Sequence, residues 1–208
     1  MSPKELRFFI SKLKERGVTS EDLQRYIDVE LGGSIRFTRL DLKNEQDLAT
    51  YARICQDYIV SRGPNPLNIT GEMMANSAKR AFDKWSQYVP PELALSQLVL
   101  EGGIGNPDLE TRPIRTKNPF NVGNTDSGQN INMSTVSEGI DRYFDLMCTM
   151  YLVGGKTPED LVRNFKNKRG SRYASSETYE KNLRRIIPEV NRISNLVLSQ
   201  TKVKPLVS

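Results

Sequence analysis

The sequence predicts a mainly α fold: a helical N-terminal region over residues 1–65, a larger helical domain over 66–200 and a tail over 201–208. Three observations carry that expectation. Apolar residues recur at helical spacing through most of the chain. Capping residues and glycines bracket those runs. Gly63-Pro64-Asn65-Pro66 is a firm break, so a domain boundary is expected between about residues 63 and 70.

Ser2, Pro3 and Glu5 open the first helix with a capping box and a proline in its first turn. Leu6, Phe9, Ile10 and Leu13 follow at helical spacing, and Gly17 ends the run. A second helix starts near Ser20, carries Leu23, Tyr26, Ile27 and Leu31 on one side, and stops at Gly32-Gly33. The pair reads as a helical hairpin, serving either packing or docking to a larger assembly. Ser34 to Leu42 alternates apolar and polar residues, as a short strand or an extended connector would. Asn44 to Arg62 is a helix with Tyr51, Cys55, Tyr58 and Ile59 on its apolar side.

Thr70 caps the next helix, which is expected to reach about Tyr88 with Met74, Ala78, Phe82 and Trp85 inward. The stretch PPELALSQLVLEGGIG, residues 90–105, follows. Pro91 suits a first helical turn, and the run from Leu93 to Leu100 is apolar enough to be buried on nearly all sides. Glu101 closes that run, and Gly102, Gly103 and Gly105 stop the helix. A lone carboxylate at the end of a buried helix sits where its pKa rises and where a general acid works. The bland alternative is a solvated residue at a helix C-terminus, where negative charge is mildly disfavoured.

Residues 105–134 show no helical period, and a loop of about 30 residues inside a domain is usually functional or a misread element. Val136 to Val153 is a helix carrying Ile140, Tyr143, Phe144, Met147 and Tyr151. Thr157 begins another, through about Asn167. Lys166, Lys168, Arg169 and Arg172 make a basic turn, which a solvated surface also explains. Ser175 or Ser176 caps a final helix to about Gln200, and Pro188 is expected to kink or divide it.

The bulk composition narrows the chemistry. With 30 Lys and Arg against 25 Asp and Glu, the net charge is +5. That favours an anionic partner, whether nucleic acid, cell-wall polymer or an acidic protein surface. The chain has no histidine, which excludes Ser-His-Asp and Cys-His catalysis and histidine-containing zinc sites. Cys55 and Cys148 lie in apolar helical patterns and are expected as buried thiols. No metal and no cofactor are expected, which leaves carboxylate, hydroxyl and lysine chemistry. No tract is long enough to cross a membrane, and the N-terminus lacks the apolar core of a signal peptide. No membrane partner is therefore expected, and synthesis in the cytosol is.

Two near-matches fail. Gly154-Gly155-Lys156-Thr157 resembles the end of a phosphate-binding loop, but Met150 stands where that pattern needs glycine. Gly103 and Gly105 begin a dinucleotide-binding pattern, but Asp108 occupies its third glycine position. No pattern of an RNA-binding sheet or zinc finger is present, so nucleic acid is not an expected partner.

From about Phe82 to Ile187 the order of features resembles the glucosaminidase-type peptidoglycan hydrolases of the lysozyme-like superfamily. Residues 96–105, SQLVLEGGIG, resemble that family's A-Q-x-x-L-E-S-G-W-G motif. Residues 118–123, NPFNVG, resemble its Asn-x-Phe-Gly segment. A helix with Tyr143 follows, and residues 173–179, YASSETY, resemble its later Tyr-Ala-Thr-Asp-x-x-Tyr segment. Among the departures, Gly102 replaces a Ser or Thr, Ile104 replaces a Trp, and Ser176 replaces an Asp. Residues 1 to about 65 lie outside the resemblance.

The resemblance implies an α+β lysozyme-like domain with a long substrate-side loop. It implies hydrolysis of a β-1,4 glycosidic bond in peptidoglycan, with Glu101 as general acid. Glycosidases usually need a second carboxylate. Asp108, Glu110, Asp126 and Glu138 are candidates, with Asp126 the first choice; the substrate's acetamido group is the alternative. Asn118, Phe120, Asn121 and Tyr173 are expected to bind sugar. Loop hydrogen bonding for Asn118 and core packing for the two aromatics are the competing roles. The expected setting is a bacteriophage virion or lysis system, virion-associated or released to the wall. The N-terminal helices are a candidate attachment to other virion proteins. The other reading is a non-catalytic structural virion, tail or adaptor protein with a diverged domain of this kind.

Overall fold

The computed structural model describes residue 19, residues 35–124 and residues 128–202. The two expected N-terminal helices, the candidate Asp126 and the tail from 203 lie outside the described residues. Within them the fold is mainly α, as expected, and contains no strand. Residues 35–41 form an extended connector, with Ile35, Phe37 and Leu40 packed on the core.

Helix α1 spans Glu45–Arg62, and the Asn44 side chain caps it by accepting from the backbone N–H groups of Gln46 and Asp47. The Gly63–Thr70 turn is tied by Asn65, whose side chain bonds both backbone polar groups of Ile69. Thr70 then caps α2, Gly71–Trp85. The first residue of α2 must be glycine, because a Cβ there would fall 2.0 Å from the carbonyl oxygen of Ala52 on α1. Helix α2 stops three residues short of the expected Tyr88, at Ser86 in the left-handed region (φ 55°).

Helix α3, Pro91–Leu100, is the axis of the molecule, and every residue from Pro91 to Leu98 is buried. Inside the long polar stretch lies a five-residue helix, α4, Arg112–Thr116, too short to leave a period in the sequence. Helix α5, Val136–Leu146, does not continue regularly to Val153 but widens into a π-helical turn over Met147–Tyr151. Helix α6, Pro158–Arg163, opens with a Thr157–Asp160 capping box. Helix α7, Tyr179–Lys202, runs through Pro188 without dividing. It starts later than Ser175 or Ser176 because residues 171–178 are committed to turns.

Helix α1 packs on α2, α3 and α7, while α3 packs along α7 and α2 lies against α5. One apolar cluster runs from Leu42 through Tyr51, Leu93 and Phe144 to Val197, so α1 shares its core with the helices after the 63–70 break. Arg80 ties α2 to α5, with ion pairs of 3.0 Å to Asp141 and 3.2 Å to Asp145. Cys55 and Cys148 are both buried and unbridged. No helix among the described residues is long and apolar enough to cross a membrane.

Candidate active site

The site begins with how α3 ends. The N–H of Gly103 bonds the carbonyl of Leu98 at 2.9 Å, and that of Gly102 bonds Val99 at 3.1 Å. This paired closure needs a left-handed residue after the cap, and Gly102 supplies it at φ +81°. The departure from Ser or Thr at position 102 thus has a backbone reason. Glu101 becomes the capping residue itself, half-buried, with its side chain in an open cleft of about 730 Å³. Arg112, Asn121, Asn124, Tyr151 and Tyr173 also line that cleft.

The opposite wall is the 117–124 loop, and two glycines let it approach. A Cβ on Gly103 would lie 2.7 Å from the carbonyl oxygen of Pro119, and one on Gly139 would lie 2.6 Å from that of Lys117. Asn118 is fully buried and closes the turn, donating to the Val122 carbonyl and accepting from the Val122 N–H, each at 3.0 Å. Phe120 is also fully buried and stacks on Tyr143, with ring centroids 3.7 Å apart. The turn leaves Asn121 in the left-handed region (φ 50°) with its amide aimed at Glu101. Its Nδ2 donates to the Glu101 carbonyl at 3.0 Å and to Oε2 at 3.2 Å. Asn124 in turn donates to Asn121 Oδ1 at 3.0 Å.

A chain of hydrogen bonds reaches Glu101 from the core side. The Tyr143 hydroxyl donates to Gln97 Oε1 at 2.8 Å. Gln97 Nε2 donates to the Tyr179 hydroxyl at 3.0 Å, and that hydroxyl donates to Glu101 Oε1 at 3.0 Å. Burial raises the Glu101 carboxyl above its ordinary value, outweighing the Asn121 and Tyr179 hydrogen bonds and the Arg112 charge, which all act the other way.

Tyr173 lines the cleft and donates its hydroxyl to the Phe120 carbonyl at 2.8 Å, tying the turn before α7 to the loop. Its position is set by the basic turn, a tight hairpin closed by a Lys166–Arg172 bridge. Glu180 anchors that hairpin, accepting from the Phe165 N–H at 2.9 Å and from Arg172 Nη2 at 2.6 Å.

Of the sequence-based candidates, Glu101, Asn121 and Tyr173 meet in the cleft. Asn118 and Phe120 support it from behind and present no surface to it. Asp108 and Glu110 are exposed, and the Asp108 carboxylate accepts from the Glu110 N–H at 2.8 Å. Glu138 accepts from the Ser134 N–H at 2.8 Å and pairs with Arg142; that backbone hydrogen bond holds its carboxyl below the usual range. Glu101 is the one carboxylate among the described residues lining the cleft. Gln97, Arg112, Asn124, Tyr151 and Tyr179 carried no functional role in the sequence. Gln97 and Tyr179 were legible as matched positions of the resembled motifs, and Gln97 also as a polar residue inside an apolar helix.

No protein-family model, no curated protein and no solved structure matches this chain. Geometry and chemistry therefore speak for the site alone.

Proposed function

We propose that this chain hydrolyses the glycan strand of peptidoglycan, with Glu101 as the general acid. The observation that carries the reading is the placement of Glu101: one carboxyl group at the end of a buried helix, raised by burial, inside a cleft. A carboxylic acid that keeps its proton toward neutral pH can protonate the leaving oxygen of a glycosidic bond. The likeness of residues 96–105, 118–123 and 173–179 to glucosaminidase-type motifs supports a lysozyme-like domain acting on a β-1,4 bond. The net charge of +5 supports an anionic wall polymer as substrate. A bacteriophage virion or lysis system is the setting, with the N-terminal region attaching the domain to other virion proteins.

The second group follows from what lines the cleft. With Glu101 as the single carboxylate lining the cleft among the described residues, the second group is taken from the substrate: the carbonyl oxygen of its 2-acetamido group attacks the anomeric carbon as the glycosidic C–O bond breaks. The proton of Glu101 goes to the leaving oxygen. Glu101, now ionised, takes a proton from the water that opens the cyclic intermediate. Asp126 would replace the acetamido group if it reached the cleft. A non-catalytic structural or adaptor domain is the second reading, favoured by the presence of a single carboxylate in the cleft among the described residues.

Turbidity loss of purified peptidoglycan, with reducing ends assayed, tests the proposal. Glu101→Gln is expected to lower the rate by about 10²–10⁴-fold. Equal clearance by both proteins removes Glu101 from the chemistry. No clearance by the wild type across pH and wall types turns the reading to the non-catalytic domain.

A further inference from the structure

We propose that Gln97, held by Tyr143, is a positioning residue that fixes which oxygen of Glu101 carries the transferable proton. The inference rests on Glu101 acting as general acid and adds the direction of every hydrogen behind it.

The chain of hydrogen bonds starts at the buried end. A phenol has one hydrogen, and that of Tyr143 goes to Gln97 Oε1 at 2.8 Å. Tyr143 is rigid, because its ring stacks on Phe120 and meets Phe144 edge to face. With Oε1 occupied as an acceptor, the Gln97 amide must turn its NH₂ to Tyr179, 3.0 Å away. The Tyr179 oxygen then accepts, so its one hydrogen points outward to Glu101 Oε1 at 3.0 Å. Tyr179 is held by stacking on Tyr173 and by an edge contact with Phe165. Glu101 Oε1 is therefore always an acceptor. The acid proton resides on Oε2, which accepts from Asn121, on the wall of the cleft, at a longer 3.2 Å.

A reversed amide would give the opposite result. Oε1 of Gln97 would face Tyr179, whose hydrogen would turn to it. The Tyr179 lone pair would then face Glu101 Oε1 and draw the acid proton there, away from substrate. The four-residue chain thus chooses between a proton delivered to the cleft and one held by the core.

Among the described residues, the titratable groups facing Glu101 are Arg112 on α4, Tyr143 on α5, Tyr173 before α7 and Tyr179 on α7. Burial pushes the three phenols well above their ordinary range, so they remain protonated donors where Glu101 titrates.

The test is a ¹³C NMR titration of the full chain labelled at glutamate carboxyls, with the Glu101 signal identified by its loss in Glu101→Gln. Tyr143→Phe keeps the ring stack and frees the Gln97 amide. Tyr179 can then accept from a protonated Oε1, so the Glu101 titration is expected to rise by about 0.5–1 pH unit. The alkaline limb of the wall-clearing pH profile is expected to move with it, and kcat to fall about tenfold with KM little changed. Gln97→Met repeats the test should Tyr143→Phe fail to fold. A lower unfolding midpoint with an unmoved Glu101 titration overturns the relay and leaves the general acid standing. A moved titration in a protein without wall-clearing activity supports the relay and sinks the hydrolase.

Discussion

Helix α3 carries a carboxylate near each end, and the structure surrounds them differently. Glu92, in the first turn, is fully buried. It accepts from the Thr38 N–H and hydroxyl and, at 2.7 Å, from the Ser194 hydroxyl. Those donors come from the connector before α1 and from α7, so Glu92 pins three segments together. Glu101, at the other end, is half-buried and has one oxygen held by Tyr179 while the other meets a longer contact and the cleft. Burial alone therefore does not mark a working carboxylate. What separates the two is whether an oxygen is left for a ligand. A buried acceptor fully satisfied by protein donors is a structural joint; one with a loosely held oxygen beside open volume has chemistry available to it.

The largest effect expected from this contrast is at Glu92. Glu92→Ala leaves three donor groups without an acceptor and opens a cavity, and is expected to cost about 3 kcal/mol in urea unfolding. The proposed wall-clearing activity, per folded molecule, should stay the same. An unmoved midpoint would break the comparison at its structural end.

The sequence announced the joints that depend on neighbouring residues and hid those that depend on distant ones. Thr70 caps its helix as expected, and Asn44 and Thr157, expected at the starts of theirs, are the caps, because a capping side chain needs only the next turn of its own chain. The end of α3 was legible for the same reason: Glu101, Gly102 and Gly103 are one local closure. Glu92 was not, since its partners lie 54 and 102 residues away. Gln97 and Tyr179 are 82 residues apart, and a single long-range hydrogen bond leaves no period to read. Asn118 and Phe120 were expected at the sugar groove, yet the loop turns both inward and presents Asn121 instead. A polar loop displays its asparagines without saying which serves the turn and which the cleft.

A smaller effect sharpens the structural end. Ser194→Ala removes one of the three donors to Glu92 and leaves the carboxylate with two. The expected loss is about 1 kcal/mol by urea unfolding, well below that of Glu92→Ala. Equal losses would mean that the α7 contact alone carries the joint.

The smallest effect distinguishes the two ends by sign. Because burial raises the folded-state Glu101 carboxyl, the unfolded chain ionises first as pH rises. Stability contributed by the protonated form is full below the unfolded value of about 4.3 and is lost as pH climbs through the raised folded value. The neutral amide introduced by Glu101→Gln mimics that protonated form at every pH. Glu101→Gln is thus expected to match the wild type in acid and to be the more stable protein at neutral pH. At Glu92 the same isosteric swap must act in reverse. An amide can fit only by accepting the Thr38 N–H with its oxygen and turning its NH₂ to the Thr38 and Ser194 hydroxyls, which must reverse from donors to acceptors, so weaker neutral bonds replace three bonds to a carboxylate. Glu92→Gln is therefore expected to lower neutral-pH stability while Glu101→Gln raises it. Paired urea titrations at acid and neutral pH read both signs. If the two swaps move stability in the same direction at neutral pH, the two ends of α3 are not the opposites that their hydrogen bonds describe.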